Sequence, residues 1–123
     1  MNQNLPFTAD VCPARLDVAE RLSGILDADF FRALCEPVRL QLIVQLVRVG
    51  CSDVTGLADV MPQDRSVISR HLQVLERAGI VSSHQHGRQV FYQLESQKTV
   101  AQFEAIVTEM RGMAASDCSD NPN

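Results

Sequence analysis

Apolar positions recur at two different periods along this chain, and the change of period divides it. From Arg15 to Leu26 the apolar residues Leu16, Val18, Ala19, Leu22 and Leu26 form a helical stripe. Phe30–Leu34 continues it after a break at Asp27–Asp29. Pro37 suits the first turn of a further helix, where its missing N–H has no partner to lose. Leu40, Ile43, Val44 and Val47 are expected on its inward face, and Gly50 ends it. A short helix follows over Asp53–Val60, capped by Ser52 or Asp53, with Val54, Leu57, Ala58 and Met61 inward. Pro62 marks a tight turn at Met61–Gln63. Asp64 then caps a helix through Ala78, with Ile68, Leu72 and Leu75 as its inward stripe.

After Gly79 the period drops to about 2. Ile80–His84 and Gln89–Leu94 read as two short strands joined by Gln85-His86-Gly87-Arg88, a hairpin with glycine at the turn. A last helix, Gln97–Met113, carries Val100, Phe103, Val107 and Met110, with Ala101, Ile106 and Met113 on a second apolar side. The predicted order is ααααββα: mainly helical, with a small hairpin behind a helix–turn–helix, which is the winged helix-turn-helix order. Residues 1–14 are expected to form a flexible arm, 15–113 a DNA-binding and dimerisation domain, and 114–123 a flexible tail.

Composition narrows the classes. With 123 residues, 46% hydrophobic and 21% charged, one globular domain is expected rather than a disordered chain. Aromatics are scarce at 5%, so Leu, Val and Ile must fill the core. The longest uncharged aliphatic run, Leu40–Val47, has eight residues, whereas a membrane span needs about 20. The N-terminus lacks the basic start and apolar centre of an export signal, so a cytoplasmic location is expected. Cys12, Cys35, Cys51 and Cys118 are widely spaced, with no CxxC pair, and are expected to be free thiols.

The net charge of −4, taken alone, opposes a nucleic-acid partner, but the charge is uneven. Between Arg65 and Arg88 stand Arg65, Arg70, Arg77 and Arg88 against one acid, Glu76: four minus one, a local +3. A basic face on an acidic body suits a protein that touches few phosphates. The outer face of the helix after Asp64 offers Arg65, Ser66, Ser69, Arg70, Gln73 and Arg77, with no bulky apolar side chain among them. A helix fits the major groove. Arg65, Ser66 and Ser69 lie in the early turns that enter it, while Arg70, Gln73 and Arg77 lie further back, towards phosphates. Arg88, in the hairpin turn, can reach an adjacent groove or phosphate. Double-stranded DNA is the expected partner.

Three ordered stretches resemble the ArsR/SmtB group of bacterial repressors. Leu34-Cys35-Glu36-Pro37-Val38-Arg39-Leu40 is similar to that family's LxDPTRL. Val67-Ile68-Ser69-Arg70-His71-Leu72, with Leu75 and Ala78-Gly79-Ile80-Val81, is similar to TVSRHLxxLxxAGLV. Gly87-Arg88-Gln89-Val90-Phe91-Tyr92-Gln93-Leu94 is similar to GRxVxYxL. The resemblance covers about half of the chain. It implies a homodimeric winged-helix repressor, not an enzyme, that leaves its operator when an inducer binds. It also implies DNA contact by Arg65, Ser66, Ser69, Arg70 and Arg88. The surplus apolar sides of the terminal helices, with Leu22, Val100, Phe103, Val107 and Met110, point to pairing across a two-fold axis.

Relatives that sense zinc or cobalt use His and acidic ligands on the last helix, and this chain has no histidine after His86. His71, His84 and His86 are read as packing or phosphate-contacting residues. Arsenite- and cadmium-responsive relatives carry Cys-x-Cys-Asp before the short helix. Here the stretch is Gly50-Cys51-Ser52-Asp53, with Cys51 between the two expected positions. No cofactor is required. Arsenite, antimonite or a soft metal ion is the expected inducer, with Cys51 as the leading thiol ligand and Cys12 next. Cys35 is expected to be a small core residue, and Cys118 a resolving thiol or an incidental one. Reversible thiol oxidation or persulfide formation is the alternative signal. A protein-interaction module is a third reading. It would need an apolar or acidic face where the arginines and serines lie.

Overall fold

A computed structural model of the chain describes residues 12–115, with side chains described to residue 113. Most of the expected arm and tail, with Cys118, lies outside the described residues.

Helix α1, Pro13–Ile25, opens on a proline and closes where the Leu26 N–H donates to the Leu22 carbonyl. The break after it is complete. The Asp27 carboxylate accepts from the N–H groups of Asp29 and Phe30 at 3.0 and 3.4 Å and so starts a new helix, α2, Ala28–Ala33. Then come α3 (Pro37–Val49), α4 (Val54–Ala58) and α5 (Arg65–Arg77), strands β1 (Val81–His86) and β2 (Gln89–Leu94), and α6 (Ser96–Ala115). Among the described residues five helices therefore precede the hairpin, one more than expected. The cause is a capping aspartate that interrupts what reads as one stripe.

The chain divides into two compact units. In one, α1 lies with α6 from Gln102 onward. Val18 is buried there, Arg21 pairs with Glu109 at 2.8 Å, and the Gln102 side-chain amide donates to the Ile25 carbonyl at 2.8 Å. That last bond satisfies a carbonyl left open at the end of α1.

The other unit, Asp27–Ala101, holds the main core. Leu42 and Leu46 of α3, Leu57 of α4, Ile68, Leu72 and Leu75 of α5, and Ile80 and Val81 are fully buried, with Phe30, Ala33, Met61 and Tyr92 around them. The inward face of α3 differs from expectation. Leu42 and Leu46 point inward and Ile43 is half-buried, while Leu40, Val44 and Val47 are 46%, 60% and 68% exposed. Apolar residues surround most of this helix, so periodicity alone cannot choose between two stripes. The choice is made by α5, whose single apolar stripe meets Leu42 and Leu46.

The hairpin is tighter than expected. β1 extends to His86, which pairs with Gln89, so the turn is Gly87-Arg88 alone. Gly87 has φ of +67°, a conformation that a two-residue hairpin turn demands and that L side chains rarely adopt. The sheet gains a third position from the loop before α4. Ser52 and Tyr92 exchange both backbone hydrogen bonds, at 3.1 and 2.8 Å.

Candidate nucleic-acid interface

Helix α5 begins at Asp64, whose carboxylate accepts from the Val67 N–H at 3.2 Å. The helix is sharply two-faced. Ile68, Leu72 and Leu75 are completely buried, and the opposite stripe, Ser66, Arg70, Gln73 and Arg77, is exposed. The spacing 4, 3, 4 keeps these four on one line along the helix. Ser69 is half-buried at the edge of that line. Arg65 is exposed, and its guanidinium reaches back to the Thr55 hydroxyl at 3.3 Å, tying the first turn of α5 to the start of α4. The Ser66 hydroxyl donates to Asp64 at 3.1 Å.

The wing is fastened at three places, one of them on this helix. The Ser83 hydroxyl donates to the Glu76 carboxylate at 2.7 Å, linking β1 to the end of α5. The Gln89 side-chain amide donates to Asp53 at 2.9 Å, and the other oxygen of Asp53 caps α4 through the Gly56 N–H at 2.8 Å. Gly56 leaves room for this cap, since a Cβ there would lie 2.5 Å from the Ser52 hydroxyl. Buried Tyr92 anchors β2 in the core, and its phenol is pushed up in pKa by burial and by the nearby Glu76 charge. His84 and His86 pack on Phe91, with ring centroids 6.0 and 6.5 Å away. The exposed tip carries Arg88.

A third contact network holds α5 from behind. Arg39 of α3 donates to the carbonyls of Ala33 and Arg32 at 2.7 and 3.2 Å, and its Nη1 lies 3.1 Å from Nδ1 of His71 on α5. One guanidinium thus joins the end of α2, the start of α3 and the middle of α5. Burial and the positive charge of Arg39 lower the His71 pKa below its ordinary 6.5, against the opposing pull of Glu36. Neutral His71 accepts from Arg39, whereas protonated His71 cannot. A histidine whose folded-state pKa is depressed contributes stability that is fully present above the unfolded value and is lost as pH falls through the folded one. Unfolding free energy is therefore expected to fall as pH drops below about 6.5, and His71→Gln is expected to flatten that fall. Urea titrations of both proteins across this range measure the difference, and parallel pH profiles would contradict the assignment. Sequence reasoning gave Arg39 no role, although it lies in the stretch around Pro37 that it singled out.

Residues 36–83 match the model of the bacterial regulatory protein arsR family. The chain is 39% identical over 72 residues to the transcriptional repressor SmtB of Mycobacterium tuberculosis, covering 57% of this chain and 53% of that protein. It spans about half the length of this curated relative. A solved ArsR-like transcriptional regulator from Rhodococcus is 30% identical, covers 72% of this chain and 86% of its own, and superposes with a TM-score of 0.59. The chain belongs to the ArsR/SmtB family. ArsR/SmtB members are transcriptional regulators and not enzymes. A homodimeric winged helix-turn-helix domain from Mycobacterium bovis, at 20% identity over 100% of this chain and 98% of its own with a TM-score of 0.55, shares the fold.

Among the described residues, no three His, Cys, Asp or Glu side chains come together in a way that could hold a metal ion. Cys51 is a free, exposed thiol beside the capping residue of α4. Cys35 is also free, but exposed rather than buried: it sits in the turn between α2 and α3, where the chain leaves the core. Cys12 is disulfide-bonded, against the expectation of four free thiols. Sequence spacing says nothing of which sulfurs meet in space. Of the expected dimer residues, Leu22 is half-buried, and Val100, Phe103, Val107 and Met110 are exposed. Among the described residues no helix is long and apolar enough to cross a membrane.

Proposed function

We propose that this chain is a DNA-binding transcriptional repressor that works as a symmetric pair. The observation that carries this reading is the division of α5, with Ile68, Leu72 and Leu75 fully buried and Ser66, Arg70, Gln73 and Arg77 aligned on the exposed side. In this reading Ser66 and Arg70 meet base edges in the major groove, with Arg65 and Ser69 at the margin. Gln73 and Arg77 hold phosphates. Arg88, at the tip of a wing braced to both α4 and α5, reaches the flanking groove. The partner is an operator duplex with two half-sites. Exposed Phe103, Val107 and Met110 of α6 and Leu16 of α1 supply apolar surface for the pairing, which the dimer from Mycobacterium bovis exemplifies in this fold.

Release from DNA is assigned to thiol chemistry at Cys51, the exposed cysteine next to the α4 cap. Arsenite, antimonite or a soft metal ion is one inducer class. Such ions want two to four thiolates. Oxidation or persulfide formation is the second class. The disulfide at Cys12 favours it. Binding to the DNA upstream of its own gene, followed by addition of arsenite or a persulfide donor, tests both. The wild-type protein is expected to release the duplex and to gain the matching mass. Cys51→Ser is expected to bind equally well and to stay bound. Release of Cys51→Ser by either compound, to the wild-type extent, would remove Cys51 from the mechanism.

A further inference from the structure

The outward stripe of α5 continues beyond the groove-facing residues into a cleft of about 390 Å³. Ala33, Val74 and Ala78 form its apolar floor, and Arg32, Arg39 and Arg77 surround it with a single acid, Asp29. The three guanidinium groups are not equivalent. Arg39 is spent on two carbonyls and His71. Arg32 pairs with Asp29 at 2.8 Å, but the two side chains are 70% and 80% exposed. Such an exposed pair is weak and readily exchanged for a better partner. Among the described residues Arg77 makes no hydrogen bond or ion pair, and it belongs both to this rim and to the exposed stripe of α5.

We infer that this cleft receives a backbone phosphate of the bound duplex, held between Arg32 of α2 and Arg77 of α5, with Asp29 giving up Arg32 when DNA arrives. The inference rests on the proposed DNA-binding reading and adds α2, which no stretch of the sequence marked as a DNA element. Two planar guanidinium forks with five N–H donors each suit a phosphate diester better than ammonium groups would. Because Arg77 lies on the same line as Ser66, Arg70 and Gln73, the anion that fits is one carried by the molecule those residues face. A phosphate contact fixes register and adds affinity without reading sequence. Asp29 acts as an internal competitor: it keeps Arg32 extended over the cleft in the free protein and opposes the phosphate by its charge.

The test uses the full chain and two fluorescent duplexes, one selected from random-sequence DNA by the wild-type protein and one scrambled. Dissociation constants are measured across a salt series for the wild type, Arg32→Ala, Asp29→Asn and Arg70→Ala. Arg32→Ala removes one phosphate contact per protomer, so the slope of log K against log salt is expected to shrink by about 1.8 for the dimer. Affinity is expected to fall by roughly three- to tenfold on both duplexes alike. Asp29→Asn is expected to bind more tightly than wild type on both duplexes. Both positions are exposed, so unchanged thermal melting is expected and excludes misfolding. An unaltered slope for Arg32→Ala, while Arg70→Ala loses affinity, overturns the clamp and leaves the DNA-binding reading standing. If neither variant changes binding, the DNA-binding reading itself fails. If inorganic phosphate raises the melting point of wild type but not of Arg32→Ala, and the DNA slope is unchanged, the cleft serves a free anion and the inference is wrong.

Discussion

Leu72→Ala is expected to lower the unfolding free energy by about 2–5 kcal/mol, the cost of deleting a large buried aliphatic side chain whose space cannot fully collapse. Leu72 is completely buried in the middle of α5, in the same core as Leu42, Leu46 and Ile80. Small domains have only about 5–15 kcal/mol in hand. A large share of the stability therefore depends on this one side chain. DNA binding is expected to fall with it, because the exposed stripe of α5 is aimed by the buried one. Urea unfolding at a fixed protomer concentration gives the value, since pairing makes stability depend on concentration. A loss below about 1 kcal/mol would show that α5 does not pack through this face.

Arg70→Ala is expected to do the reverse. Arg70 is exposed, and among the described residues no hydrogen bond or ion pair holds it. Unfolding free energy is therefore expected to stay within about 0.5 kcal/mol of wild type. Operator binding is expected to weaken by about 2–4 kcal/mol for a dimer that loses two such contacts, or roughly thirtyfold to nearly a thousandfold. Discrimination between operator and scrambled duplex is expected to shrink as well, because Arg70 is assigned to base edges. A uniform loss on both duplexes would move Arg70 from base reading to phosphate binding. No loss on either would take α5 out of the groove. The two substitutions lie two positions apart on one helix and separate its two faces by experiment.

Helix α5 was the most legible part of the chain, and for the same reason. One apolar stripe of three residues, a capping aspartate and a polar remainder leave a single way to pack it, so Ile68, Leu72 and Leu75 could be placed without coordinates. The wing was legible in kind but not in length. Gly87 marks the turn, yet whether His86 pairs with Gln89 depends on backbone geometry that composition does not carry. Helix α3 was misread because both of its faces are apolar, and only a partner decides between Leu42 with Leu46 and Leu40 with Val44 and Val47. The separate helix α2 was hidden because the apolar stripe resumes at Phe30 after the break at Asp27–Asp29. The links that position the interface were not legible at all. Arg39 to His71, Arg65 to Thr55 and Gln89 to Asp53 join residues from 10 to 36 positions apart. Nothing local to either partner announces such a bond.

The pair of backbone hydrogen bonds between Ser52 and Tyr92 has a mechanical consequence. The loop that carries Cys51 and the strand that carries Arg88 towards its tip are riveted at adjacent points of one small sheet. A bulky adduct or a tether on that sulfur would therefore pull on the hairpin as on the short arm of a lever, with the guanidinium at the far end of the long one.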